Sequence, residues 1–187
     1  MRRKRRYNRI MCSILILMFF WFASATTLVN AEMMTMEPLM RQEHNLPPIP
    51  RWILPSGHND PENTWQNETK AYDGFVATKA GCTIYDFYWT WTPWLELTVS
   101  APITCDRIRF YAWYDELHCN RIDFDIYYDG DWHHLYQGPF ADREWVEYSF
   151  MKASSVTKAR VCFHVQRWIL WPVTADLHEF QFFGYLT

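Results

Sequence analysis

The 187 residues lack most of the short signatures that carry catalysis or nucleotide binding. The six glycines form no Gly-rich phosphate loop. No Gly-x-Ser-x-Gly nucleophile elbow occurs, nor any Cys-x-x-Cys or other zinc spacing. Nothing in the pattern points to the two carboxylates that must flank a cleft in a glycosidase. Internal repeats are absent, and no helical periodicity follows the first 31 residues. Basic charge is also short along most of the chain. Six of the 18 Lys and Arg residues sit in the first nine positions, and the other 12 face all 21 acids, which begin at Glu32. An acidic body argues against nucleic acid and against an anionic membrane surface as partners, but it tolerates sugars, calcium and basic proteins.

The clustered basic residues have a purpose. Arg2, Arg3, Lys4, Arg5, Arg6 and Arg9 precede an apolar run from Ile10 to Ala25, with a softer tail to Leu28. Val29-Asn30-Ala31 then offers a small-x-small cleavage signal, with Ala23-Ser24-Ala25 as a second option. This is the order of a secretory leader and implies export. The run also approaches the ~18–20 apolar residues that span a bilayer. Residues 1–31 are therefore either a signal peptide or an uncleaved anchor helix, with the positive end inside in both cases. Met33, Met34, Met36, Met40 and then Pro47-Pro48-Ile49-Pro50 mark residues 32–50 as a Met- and Pro-rich linker, extended near its end.

Beyond the linker, aromatic residues dominate. They form 19% of the chain and include 11 Trp, a load suited to half-buried strands and to binding surfaces. A long loop, by its turn chemistry, runs from Pro55 to Lys70. Short alternating runs follow: Trp94 to Val99, Ile108 to Trp113, Ile122 to Tyr128, Trp132 to Tyr136, Trp145 to Phe150, Ala159 to Val165 and Leu177 to Tyr185. Asp129-Gly130 is a hairpin signal. Seven or more such strands predict an all-β antiparallel sandwich over residues 51–187. Trp132 and Trp145 are expected in its core, whereas Asp123 and Asp125 are expected on a solvated strand face. His133-His134 is not expected to bind metal, because adjacent strand residues point to opposite faces.

Cys12 lies in the leader, leaving Cys82, Cys105, Cys119 and Cys162. An even number in an exported chain points to disulfides, with three pairings open. Buried free thiols are the alternative, and Cys162 between Val161 and Phe163 fits them.

The order of the pieces resembles the discoidin, or coagulation-factor type C, domain of the galactose-binding-like jelly-roll group. The resemblance runs through Ala71-Tyr72-Asp73-Gly74 with Thr78, Trp94-Leu95-Glu96-Leu97, Cys105-Asp106-Arg107-Ile108-Arg109-Phe110, Tyr127-Tyr128-Asp129-Gly130-Asp131-Trp132, Thr157-Lys158-Ala159-Arg160-Val161 and Glu179-Phe180-Gln181-Phe182. It implies a structural calcium ion at Asp73, Thr78 and Glu179, a set whose oxygens suit that ion. Phe75 and Ala80 depart from the family pattern, which usually has asparagine and tryptophan there.

The resemblance also implies ligand binding at loops gathered at one end of the sandwich: His58–Lys70, Tyr85–Trp94, Trp113–Asn120 and Gln166–Trp171. Sugar rings pack apolar faces on aromatic rings, while their hydroxyls need polar partners. Trp65, Trp89, Trp113, His118, Arg121 and Trp168 are the candidate ligand-binding residues, with Trp65 and Trp168 expected to be the most exposed. The function expected is non-catalytic recognition outside the cell, with a glycan as partner; the alternative is a protein-interaction subunit of a surface assembly. Asn67-Glu68-Thr69 is an N-glycosylation sequon in the long loop.

Overall fold

A computed structural model describes residues 48–167 and 171–187. The leader, nearly all of the linker and Trp168 lie outside the described residues. Ten antiparallel strands build the domain: β1 (Arg51–Ile53), β2 (Gly57–Asn59), β3 (Trp65–Gln66), β4 (Ala80–Ile84), β5 (Thr90–Trp91), β6 (Leu95–Ala112), β7 (Cys119–Tyr128), β8 (Asp131–Gly138), β9 (Trp145–Val165) and β10 (Val173–Leu186). One 3-10 turn, Glu68–Ala71, follows β3. The expected loop from Pro55 to Lys70 thus contains two short strands.

All seven expected strands coalesce into longer ones or extend. Trp94–Val99 and Ile108–Trp113 belong to the single strand β6, and Trp145–Phe150 and Ala159–Val165 are the two ends of β9. The main path through the sheet is β3-β4-β10-β6-β9-β7-β8. β6 pairs with β9 along both halves, with register shifts between Thr98 and Arg107. Such irregularities bend strands and increase their twist. The inward residues of both halves accordingly meet in one core, where Leu95, Leu97, Ile108 and Phe110 pack with Phe124, Phe163, Phe180 and Phe182. Phe110 meets Phe124 and Phe140 edge-on at 5.9 and 5.8 Å, the geometry that ring quadrupoles favour. Between β7 and β8, Asp129 (φ 51°) and Gly130 (φ 84°) both adopt positive φ, which a type I′ hairpin turn requires.

Three expectations need correction. Trp132 and Trp145 are not core residues. Trp145 is 38% exposed, and Arg109 is sandwiched between it and Trp52, with the guanidinium 4.2 and 4.1 Å from the two ring centres. Arg160 lies likewise between Trp94 and Trp132, at 4.4 Å from each. These tryptophans cover the outer faces of the sheet through cation–π contacts. Nor is Asp125 solvated. It is buried, accepts a hydrogen bond from Arg160 Nε at 2.7 Å on Oδ2, has Arg160 Nη2 2.6 Å from the same oxygen as an ion pair, and lies 3.1 Å from His134 Nδ1. Asp123 beside it is half-buried, and desolvation raises its pKa.

The third correction concerns disulfides. Cys82, Cys105, Cys119 and Cys162 are all buried free thiols. Burial pushes the Cys82 thiol up to about 11 and that of Cys105 to about 12. Such thiols are poor nucleophiles at neutral pH. A thiol reagent should therefore label none of the four in the native domain within minutes and all four in denaturant. Fewer than four reactive thiols in denaturant without reductant would mean that disulfides form.

Candidate functional site

Three loops meet at one end of the sandwich. Gln166 N–H donates to His118 O at 2.9 Å, Arg167 N–H donates to Asp86 O at 2.9 Å, and Gln166 Nε2 donates to Phe87 O at 2.8 Å. These bonds tie the segment after β9 to the β4–β5 loop and to the β6–β7 loop. Large apolar side chains project around them, with Tyr85, Phe87, Tyr88, Leu117 and Trp171 all more than half exposed.

The β6–β7 loop owes its shape to Asp115. Its Oδ1 accepts Leu117 N–H at 2.8 Å, and its carbonyl accepts Cys119 N–H at 2.8 Å, an Asx-type turn. Its Oδ2 holds His118 Nδ1 at 3.1 Å. Burial works against ionising Asp115, but the hydrogen bonds from His118 and Leu117 outweigh it and hold the pKa below the usual carboxylate range. Opposite this turn, β10 brings Thr174 and Asp176, two residues apart and so on one face. Gly81 stands across from Asp176 on β4, where a Cβ would come within 2.8 Å of the Thr174 methyl. The missing side chain lets both residues seat there. Trp113 N–H donates to Asp176 O at 3.0 Å and joins the loop to β10.

An open cavity of about 400 Å³ results, lined chiefly by Trp113, Asp115, His118, Trp171, Thr174 and Asp176. Its size is within the ordinary range for small-ligand sites. Asp176 is 7% exposed; Lys79 Nζ holds its Oδ2 at 2.5 Å, while Oδ1 is buried with no hydrogen-bond donor.

Of the expected ligand-binding residues, Trp113 and His118 line this cavity. Trp89 does not; it stacks on His164 at 4.9 Å, with Trp91 on the same imidazole at 4.9 Å. Arg121 is exposed and pairs in register with His164, whose pKa is lowered by burial and by that guanidinium. Trp65 is a correction: it is 3% exposed, its indole N–H donates to Pro93 O at 3.0 Å, and its ring packs near Phe163. Asp115, Thr174 and Asp176 were not anticipated. The Asp-Glu-Leu-His turn composition could have pointed to Asp115, but Asp176 sits inside a strand pattern with nothing to distinguish it.

Asp73, Thr78 and Glu179 do converge. Thr78 Oγ1 lies 2.9 and 2.8 Å from the Asp73 carboxylate oxygens and 2.8 Å from Phe75 O. Gly74 N–H donates to Glu179 Oε2 at 2.9 Å. Glu179 is fully buried, and its Oε1 has no donor. Burial pushes its carboxyl up to about 7, with the nearby Asp73 charge adding to the effect. At Asp73 burial is outweighed by hydrogen bonds from Thr78 and Phe75 N–H and by the Lys70 ammonium, so its pKa falls. Two carboxylates, a hydroxyl and a carbonyl, with one buried oxygen lacking a partner, make a donor set that fits a hard cation. Lys79, next to Thr78, links this loop to Asp176 in the cavity. A second acidic group brings Asp123, Asp125 and His134 ligand atoms within 4.8 Å of one another, but Arg160 already neutralises Asp125.

The Glu179 shift has a signed consequence. The folded state holds its proton up to about pH 7, whereas an unfolded glutamate releases it near its ordinary value of about 4.3. Between those limits the folded state binds more protons, so stability falls as pH rises. In chelator, the melting temperature should drop from pH 5 to pH 7, and Glu179→Gln should flatten the slope. An unchanged slope in that variant would assign the pH dependence to other groups.

No protein-family model matches the chain, and no protein of curated function is similar to it in sequence. Solved structures do match. The CBM32 module of AlyQ in complex with 4,5-unsaturated mannuronic acid superimposes with a TM-score of 0.53 at 11% identity, covering 72% of this chain and 99% of that one. The fold that the two share is a discoidin-like jelly roll. A truncated AlyQ with CBM32 and alginate lyase domains aligns with a TM-score of 0.52 at 11% identity, over 75% of this chain. This chain spans only 35% of that two-domain protein. At such identity the likeness is one of fold, and the loops that line the cavity carry their own chemistry.

Proposed function

We propose that residues 51–187 form a non-catalytic carbohydrate-binding module that works outside the cytoplasm, delivered there by the leader over residues 1–31. The cavity between the β6–β7 loop and β10 supports this reading most directly. It joins two tryptophans to two carboxylates, a histidine and a threonine on a discoidin-like frame. Aromatic faces and short polar side chains are what a pyranose needs from a protein, and none of the lining groups forms a nucleophile–base pair.

The Asp73 loop takes a structural calcium ion in this reading, held by Asp73, Thr78, Glu179 and the Phe75 carbonyl. The ion would supply charge to neutralise a buried carboxylate. Asp73 and Glu179 brace the loop before β4, and Lys79 carries that order to Asp176.

The test is binding of the purified domain to an immobilised glycan panel, with a Trp113→Ala protein beside it. Retention on at least one glycan, lost in the variant, is the expected result; retention on none would end the proposal. A protein-binding role is the second reading, favoured by Tyr85, Phe87 and Tyr88, which stand exposed next to the cavity. Light scattering separates them, since a self-assembling subunit would not be monomeric.

A further inference from the structure

Resting on the carbohydrate-binding reading, we infer a second sugar site on the outer flank of the sheet, formed by Trp89, Trp91, Asn120, Arg121 and His164, that takes the carboxylate-bearing ring of a uronic acid. Three strands place these side chains. Trp91 on β5, His164 on β9 and Arg121 on β7 stand in register with one another. Phe163 and Val165, on either side of His164, are core residues, so its imidazole points away from the core. The pairing of β7 with β9 slips between Cys119 and Arg121. Asn120, in that irregularity, brings its Oδ1 to 3.2 Å from His164 Nδ1. Such irregularities re-aim side chains.

The row offers donors and positive charge. An amide oxygen only accepts, so His164 Nδ1 carries the proton of that bond, and Asn120 Nδ2 keeps both of its own with no acceptor among the described residues. Arg121 is exposed, and its guanidinium makes no hydrogen bond, ion pair or ring contact among the described residues. Burial first, and then the Arg121 charge, lower the His164 pKa, and no carboxylate acts against them. The nearest acid on β7, Asp123, is engaged from β8: Gln137 Nε2 donates to its Oδ2 at 2.6 Å, and His134 Nδ1 lies 3.3 Å from its Oδ1. Beside the donors lies a platform of rings. Trp89 stacks on His164 with 16° between the planes, which turns its other face away from the imidazole, and Trp91 tilts against the same ring. Both tryptophans are only half-buried. A pyranose laid on such a ring presents its edge to the donors. A planar carboxylate there accepts two parallel bonds from the guanidinium fork, charge-assisted and roughly twice as strong as the neutral bonds a hydroxymethyl group makes.

The experiment is calorimetry at pH 7 and low salt with glucuronate, galacturonate and mannuronate oligomers, each against its neutral hexose counterpart. At least one uronate should bind about tenfold or more tightly than its counterpart, as one hydrogen bond to a charged group predicts. Raising the salt should shrink that ratio. Arg121→Gln should bring the ratio to about one with the melting temperature kept, because the side chain it removes packs against nothing, and Arg121→Lys should keep only part of it. A neutral glycan retained on the panel, added to saturate the cavity, should not displace the uronate. No uronate preference, a preference that persists in Arg121→Gln, displacement by the neutral glycan, or a sulphated hexose bound more tightly than any uronate overturns the inference and leaves the carbohydrate-binding reading intact. Binding to no glycan of any kind removes the reading beneath it as well.

Discussion

Truncating Trp65 to alanine should destabilise the domain by about 3–5 kcal/mol, the usual cost of removing a buried tryptophan. Two losses combine. The ring leaves a cavity beside Phe163, and Pro93 O loses its indole donor. Trp65 also anchors the short strand β3 against β4 at Cys82, the end of the sheet. Urea unfolding measures the effect as a lower midpoint at unchanged slope. A change below about 1 kcal/mol would contradict its burial and return Trp65 to the surface residues from which a ligand role was expected.

Trp113→Ala should act on binding instead. Trp113 is half-buried, so its exposed face is available to the cavity. A tryptophan at the centre of a binding site typically carries ~2 kcal/mol or more, which corresponds to about a 30-fold weakening. The glycan found on the panel should show that loss by calorimetry, with a melting temperature shifted by only a few degrees. Undiminished affinity would move the ligand away from this cavity, towards the Trp89–His164–Trp91 stack or the exposed Tyr88. The two tryptophans thus make a matched pair of tests, one read in stability and the other in affinity.

Local signals on the strands were legible because alternation depends only on immediate neighbours. Ile122, Phe124 and Ile126 face the core as their spacing requires. The turn at Asp129-Gly130 was equally legible, since positive φ at successive positions restricts residue type. The convergence of Asp73, Thr78 and Glu179 followed from a resemblance in order and spacing, and the geometry agrees with it.

Other residues escaped because burial is decided by distant segments. Trp65 lies among polar neighbours and reads as a loop tip, yet the segment carrying Pro93 and the strand carrying Phe163 close over it. Trp132 and Trp145 alternate like core residues, but alternation names two faces without saying which is inside. Arg109, from the neighbouring strand β6, stacks on Trp145, and Arg160, from β9 across β7, stacks on Trp132, which settles that. The same holds for Asp125, buried by Arg160 rather than by its own strand.

By itself, then, the sequence determined a β-rich chain, its strand segments and hairpin, and a carboxylate loop suited to a hard cation. The strands and hairpin rest on periodicity and turn chemistry along the chain, and the carboxylate loop on the resemblance to the discoidin domain. Only the tertiary structure decided that the cysteines stay apart as buried thiols, that two arginine–tryptophan stacks coat the sheet, and that Asp115 and Asp176 share a cavity with Trp113. Those outcomes depend on which strands lie side by side, and pairing between distant segments leaves no mark in local sequence.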